Sequence, residues 1–242
     1  MKTIILSAGK GERIRKVVGN IPKPMIKVKW KPVLEHNVEW VRNYGIRDIY
    51  INLHHLPNAI RSYFGDGSRW GVKITYSYEP ELLGTAGAVR KIADEYWQLK
   101  VNSYPCKNLS DNAFLVIYGD NLFEYELGEI VNFHDRKKGI ATIAVYEKDD
   151  VRQSGVVLLG RDNKVTRFVE KPKPEEVVSN LVNTGIYVLE PEVLGYIPSG
   201  KTLDFGKDVF PEMIQRGESI LGIIVKGNLI AIDTPELLEK AL

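Results

Sequence analysis

Phe114-Leu115-Val116-Ile117-Tyr118-Gly119-Asp120-Asn121 opens as an unbroken apolar run and stops on a glycine and two polar residues. A strand with one wet face alternates, whereas five apolar residues in a row suit a strand covered on both faces, the habit of parallel sheets flanked by helices. Polar residues at the carboxyl end of such a strand lie where open α/β sheets bind ligands. Asp120 is therefore a candidate site residue. Upstream, residues 3–6, 48–53 and 73–78 are short apolar runs separated by amphipathic stretches at 32–44 and 57–64. That alternation predicts strands joined by crossover helices. Within 32–44, Val33, Asn37, Trp40, Val41 and Tyr44 fall near helical spacing, and Gly45 supplies the stop. Downstream, residues 140–146, 155–159, 164–169 and 184–189 read as strands with few helices between them, so antiparallel pairing is expected there. The fold class is α/β with a mixed, mostly parallel central sheet, as one body with two unequal halves. The segment 101–112, rich in Asn, Ser and Pro and holding Cys106, reads as an irregular insertion.

The bulk numbers narrow the function. A chain of 242 residues, 44% hydrophobic, can bury roughly three quarters of its unfolded surface in one core. Lys and Arg total 33 against 31 Asp and Glu, so no global field draws the protein to nucleic acid or an anionic membrane, and any bound anion needs a local site. The single Cys106 excludes a disulfide framework and favours the cytoplasm. The apolar start at residues 3–6 is too short for a signal peptide, and no stretch reaches the ~18 uncharged apolar residues a membrane span requires.

The first strand runs into Ser7-Ala8-Gly9-Lys10-Gly11-Glu12-Arg13, and Pro22-Lys23-Pro24-Met25 follows. Small residues let backbone N–H groups approach a triphosphate, while Arg13 and Lys23 supply positive charge. The order matches neither the Walker loop nor the dinucleotide fingerprint. A turn requiring positive φ and an extended Pro-Lys-Pro surface loop are the plainer readings of the same residues.

Taken together, these two segments resemble the nucleotide-binding signature of the sugar nucleotidyltransferases, the family of GDP-mannose pyrophosphorylase and glucose-1-phosphate thymidylyltransferase. The likeness continues, in the family's order, through Leu83-Gly84-Thr85-Ala86-Gly87-Ala88, Gly119-Asp120-Asn121, Val169-Glu170-Lys171-Pro172, Asn183-Thr184-Gly185-Ile186-Tyr187 and Asp204-Phe205-Gly206-Lys207-Asp208-Val209-Phe210-Pro211. It implies a three-layer, Rossmann-like nucleotidyltransferase fold occupying 1–242 as a single catalytic domain, without the C-terminal β-helix domain of some relatives. The reaction it implies joins a nucleoside triphosphate to a sugar 1-phosphate, giving a nucleotide sugar and pyrophosphate.

The resemblance also assigns roles. Ala8, Gly9, Gly11 and Arg13 cradle the triphosphate, and Lys23 stabilises charge on the α-phosphate. Asp120 binds Mg²⁺, which takes one or two carboxylates and completes its shell with phosphate oxygens and water; a cap or turn residue is the alternative. Lys171 contacts the sugar phosphate and Glu170 the sugar hydroxyls, although Glu-Lys-Pro alone also suits a solvated turn. Asn183 and Gly185 line the sugar pocket, or form a tight turn into the strand after them. Gly84 and Thr85 lie beneath the base and ribose, with a helix N-cap at Thr85 as the other reading. Attack of one phosphate on another needs alignment and charge cancellation rather than a covalent nucleophile, so the four histidines are read as structural or solvated.

Two departures stand out. After Arg13 the family's Pro-Leu-Thr-like segment is replaced by Lys16-Val17-Val18. Near the end, Ala231 occupies the place of the family's second metal-binding aspartate, and Asp233 stands two residues later; Asp233 is the expected substitute ligand, or caps a last helix. Glu79 stands five residues before Gly84, at the family's base-reading position. A carboxylate there could accept from N1–H and the 2-amino group of guanine, which tilts the expectation to GTP and a mannose-1-phosphate guanylyltransferase-like activity, while a plain strand end is the alternative. Competing functions are transfer to a non-sugar phosphate such as phosphocholine and a weakened, nucleotide-sugar-binding regulatory subunit. A homo-oligomer is compatible with the sequence but not readable from it.

Overall fold

The structure, a computed structural model, describes residues 1–9, 11, 14–97, 113–232 and 238. Arg13, Asp233 and the 101–112 insertion with Cys106 lie outside the described residues. In chain order the elements are β1 (Lys2–Leu6), α1 (Arg15–Val18), β2 (Lys27–Val28), β3 (Lys31–Pro32), α2 (Val33–Asn43), β4 (Asp48–Leu53), α3 (Pro57–Phe64), β5 (Lys73–Tyr78) and α4 (Gly84–Tyr96). There follow β6 (Phe114–Tyr118), β7 (Asn121–Phe123), α5 (Leu127–Lys137), β8 (Ala141–Glu147), β9 (Gly155–Leu159), β10 (Val165–Glu170), β11 (Leu181–Leu189), α6 (Phe210–Gln215), β12 (Ile220–Ile224) and β13 (Leu229–Ala231).

The chain separates into two compact units. The first comprises Met1–Leu82, Ile117–Tyr125 and Gly227–Leu242. Its β1 and β4 pair in parallel, as do β4 and β5, and the end of β6 stands on the other side of β1. Local chemistry sets the crossovers. Helix α2 starts directly after Pro32, carries Glu35 in its first turn and Arg42 in its last, both signs favourable to the helix dipole, and stops before Gly45, which adopts φ +82°. It buries Val33, Leu34, Asn37, Val38 and Val41. Trp40 stands beside that face, with its ring against Phe123 at 5.3 Å and its Nε1 donating to the Tyr125 carbonyl at 3.0 Å. Helix α3 begins with Pro57 and ends at Gly65, φ +55°, the usual placing of proline and glycine at the two ends of a helix.

The second unit comprises Leu83–Val116 and Glu126–Lys226. Here the expected antiparallel pairs occur: β9 with β10, β8 with β11, and β9 with β11. The β8–β12 pair is parallel. Its aromatic centre is Tyr187, Phe205 and Phe210, with ring centroids 5.1 to 5.3 Å apart and all three fully buried. Strand β11 begins at Leu181, three residues earlier than the sequence suggests, because Asn183–Gly185 does not interrupt it. The β8 register shifts between Asn183 and Tyr187, and Gly185 takes φ +81°. The feature is a β-bulge, which lets a strand bend and re-aim a side chain without ending.

Candidate active site

In the first unit, β1 delivers the chain into Ser7-Ala8-Gly9, and Gly11 turns it with φ +61°. A β-carbon on Gly11 would lie 3.1 Å from Lys23 Cβ, a tight contact at a backbone angle that already disfavours a side chain. Lys23 opens a 3₁₀ turn, Lys23–Met25, held between Pro22 and Pro24. Only 7% of Lys23 is exposed, and its Nζ donates to Asp120 Oδ2 at 2.5 Å. The side chain of Asp120 is 32% exposed. It stands in the turn between β6 and β7, and Gly119 before it donates its N–H to the Leu6 carbonyl at 2.8 Å. A β-carbon on Gly119 would fall 2.4 Å from Ser7 Oγ, so only glycine lets this strand end press against the beginning of the loop. Two polar segments 97 residues apart in sequence thus present one cation and one carboxylate.

Glu79 is tied to the start of the same loop through Asn52. It is 1% exposed, and its Oε1 accepts from Asn52 Nδ2 at 2.7 Å. Asn52 Oδ1 in turn accepts the Ser7 backbone N–H at 2.6 Å. The Ser7 hydroxyl oxygen is buried without a hydrogen-bond partner among the described residues.

Gly84, Thr85, Glu170, Lys171, Asn183 and Gly185 belong to the second unit. Thr85 is not the N-cap of α4, a place taken by Leu83. Its backbone N–H and its hydroxyl both donate to Asp204 Oδ1, at 3.0 and 3.2 Å, and its Oγ1 accepts the Phe205 N–H at 2.9 Å. The next two amides, of Ala86 and Gly87, donate to the Leu203 carbonyl. The first-turn N–H groups that a helix would otherwise offer to an anion are therefore occupied by the chain itself. Gly84, at φ +72°, faces the same segment, and a β-carbon there would meet the Leu203 carbonyl oxygen at 2.4 Å.

Glu170 ends β10 opposite Gly155. Its Oε2 lies 2.8 Å from where a β-carbon of Gly155 would be and 2.9 Å from that of Gly206, so two glycines open the space the carboxylate fills. Burial raises its pKa above the ordinary value, Lys171 and Lys207 oppose that shift, and Asp204 adds to it. Lys171 is exposed with φ +50°, a conformation costly for a non-glycine residue and frequent where a side chain is held for function. Its N–H donates to the Ser154 carbonyl at 3.0 Å. Asn183 Oδ1 accepts the Gly185 N–H at 2.9 Å, and its Nδ2 donates to the Tyr187 hydroxyl at 2.6 Å.

Sequence reading passed over Asn52, and took in Gly119, Gly155, Asp204 and Gly206 without giving them a role. Asn52 carried a signal, as a lone amide inside the apolar strand Asp48–Leu53. As for metal, no group of three or more His, Cys, Asp or Glu among the described residues could cage an ion. A partly exposed Asp120 at a strand end fits a hard cation that takes one carboxylate and fills its shell from phosphates and water.

Comparison with known proteins places this geometry in context. Residues 2–229 match the family model described as nucleotidyl transferase. The UTP–glucose-1-phosphate uridylyltransferase of Synechocystis sp. is 41% identical over 228 residues, covering 90% of this chain and 56% of the relative. The mannose-1-phosphate guanyltransferase of Yarrowia lipolytica is 33% identical over 238 residues, covering 98% of this chain and 61% of the relative. The chain thus spans less than two thirds of the length of these curated relatives. In three dimensions, HddC of Yersinia pseudotuberculosis complexed with GMP-PN superposes with a TM-score of 0.78 at 26% identity, covering 99% of this chain and 97% of the other. A glycine-shaped loop closed on a buried lysine, an acidic strand end beside it and a family match over nearly the whole length lead to one assignment: the chain belongs to the nucleotidyl transferase family.

Proposed function

We propose that this chain transfers a nucleotidyl group from a nucleoside triphosphate to a sugar 1-phosphate, releasing pyrophosphate. The observation that carries the reading is the buried Lys23 ammonium, held against Asp120 beneath a loop that turns at Gly11 with φ +61°. A phosphate oxygen of the sugar phosphate attacks the α-phosphorus; that P–O bond forms while the bond to the β-phosphate bridge breaks, and the electron pair leaves with pyrophosphate. Both reactants are anions, so the protein's contribution is alignment and neutralisation of charge. Lys23 faces the α-phosphate, and Ala8, Gly9, Gly11 and Arg13 hold the triphosphate. Lys171 and Glu170 hold the phosphate and hydroxyls of the sugar, with Asn183 and Gly185 lining its pocket, and Gly84 and Thr85 support the nucleoside. Mg²⁺, held by Asp120 with Asp233 as the proposed second ligand, would supply further charge neutralisation on the phosphates. Residues 1–242 are taken as one catalytic domain. Among the described residues no helix is long and apolar enough to cross a membrane, and a chain with one cysteine suits a reducing compartment such as the cytoplasm.

Glu79, the proposed base-reading residue, accepts from Asn52 through Oε1, and the choice of base is left to the substrate matrix. The two relatives named above carry uridylyl and guanylyl transfer in their names, so UTP with glucose 1-phosphate and GTP with mannose 1-phosphate are the first pairs to try. The test is pyrophosphate release with Mg²⁺ across four nucleoside triphosphates and a set of sugar 1-phosphates, with phosphocholine as an additional acceptor. One sugar phosphate should give turnover that is lost with a chelator. Turnover with phosphocholine alone, or none in the presence of tight nucleotide binding, would overturn the proposal in favour of the non-sugar or regulatory reading.

A further inference from the structure

Beneath the phosphate loop, a short chain of buried hydrogen bonds has a direction that chemistry alone fixes. The Ser7 amide can only donate, and it meets Asn52 at 2.6 Å, so the atom facing it must be the amide oxygen. The nitrogen of Asn52 then points the other way, toward Glu79 at 2.7 Å, and Glu79 must accept. Exposure is 5% at Ser7, 4% at Asn52 and 1% at Glu79, so water does not substitute for any member. The place matters as much as the polarity. Leu6 and Asn52 are the last paired residues of the β1–β4 ladder. Ser7 is the first residue beyond it, and there the Asn52 side chain takes over from the backbone. Glu79 is fixed independently: its N–H donates to the Leu53 carbonyl at 2.8 Å, and its own carbonyl lies 2.8 Å from His54 Nδ1.

We propose that Asn52 and Glu79 are positioning residues that set the direction in which the phosphate loop leaves β1, and that Glu79 acts on the nucleotide through Asn52 and Ser7 rather than by touching the base. By accepting from its nitrogen, Glu79 polarises the Asn52 amide and fixes its oxygen as the anchor of Ser7. The inference rests on the reading of this loop as a triphosphate site.

The relay can be reversed, which gives its test. Asn52→Asp still accepts from Ser7, but as a carboxylate it cannot donate to Glu79, so two carboxyls face each other in a dry site and can meet only by taking up a proton. Glu79→Gln keeps an oxygen that accepts from Asn52. The double variant Asn52→Asp/Glu79→Gln restores a complete chain, with Asp accepting from both neighbours, and keeps the net charge of the wild type. Binding of GTP and UTP would be measured by calorimetry on the whole chain, alongside thermal unfolding. Asn52→Asp should weaken both nucleotides about 10- to 100-fold, the double variant should regain most of that loss, and Glu79→Gln should shift both affinities by the same factor. A double variant no better than Asn52→Asp, or a tenfold change in the GTP to UTP ratio with Glu79→Gln, overturns the relay, the latter in favour of base reading. Should Asn52→Asp fail to fold, the ratio in Glu79→Gln decides alone. If the wild type binds neither nucleotide, the triphosphate reading falls separately. Hydrogen exchange at the Ser7 amide then decides the relay: protection restored by the double variant supports it, and exchange indifferent to the substitutions overturns it.

Discussion

In the proposed reaction Lys23 is a cation placed in a dry position before any substrate arrives, and that preparation would give it catalytic leverage. Charge aimed at a developing anion from a water-poor site needs no reorganisation during reaction, and removing one such group costs on the order of 100- to 1,000-fold in rate. Lys23→Met is the informative change, because the methionine retains a stem to pack under Gly11 while the charge disappears. Its partner Asp120 is one-third exposed, so the lost ion pair should cost about 1 kcal/mol or less in stability. The expected result is a variant with a melting temperature within about 4 °C of the wild type and a kcat/KM lower by about 100- to 1,000-fold. A folded Lys23→Met enzyme turning over at a near-normal rate would remove Lys23 from the mechanism.

At the scale of elements, the joint between α4 and the Leu203–Asp204 segment makes the sharpest demand on sequence. Gly84→Ala brings a β-carbon 2.4 Å from the Leu203 carbonyl oxygen while keeping φ at +72°. The left-handed conformation costs about 1 kcal/mol with a side chain, and pushing Leu203 away endangers the bonds from Ala86 and Gly87, worth about 1 kcal/mol each. Unfolding should therefore occur about 6–12 °C lower. Gly200 has nearly the same φ, +73°, but nothing within 4 Å of its virtual β-carbon. Gly200→Ala, showing only the conformational part of the loss, is the control, and equal losses at the two sites would refute the steric account. Elements of this kind differ in how legible they are. The bounds of β4, α3, β5, β6 and β9 follow from the sequence because each apolar run is closed by Gly, Pro or a polar turn. The start of β11 does not, since a bulge and a turn use the same residues, and the choice is made by pairing with β8. The site behaves likewise. Gly11, Lys23 and Asp120 stand out as motifs, whereas Asn52 and Asp204 matter only through partners 45 and 119 residues away in sequence.

For the molecule as a whole, Glu170 would set a balance between stability and the proposed sugar binding. Its folded pKa is raised, first by burial, so the folded state holds a proton that the unfolded chain gives up more readily. The resulting stability is fully present below the unfolded value near 4.5 and is lost as pH rises through the higher folded value. Glu170→Gln fills the same space between Gly155 and Gly206 without the charge. It should unfold at a higher temperature than the wild type at pH 7, with the difference shrinking as the pH falls through the raised folded value and gone below about 4.5. The KM for sugar phosphate should meanwhile rise about tenfold through loss of a charged acceptor. A thermal advantage independent of pH would show that the buried charge is not its source.

The occupied first turn of α4 also bears on how this chain could be re-engineered. Segments 83–87 and 203–205 are far apart in the gene but share hydrogen bonds at both a backbone carbonyl and a side chain. A graft that takes the first loop from a relative of different nucleotide preference brings a helix end fitted to that donor's own second segment. Working chimeras should therefore come from libraries that exchange the two stretches as a matched pair, and single-loop exchanges should be recovered mainly as misfolded products.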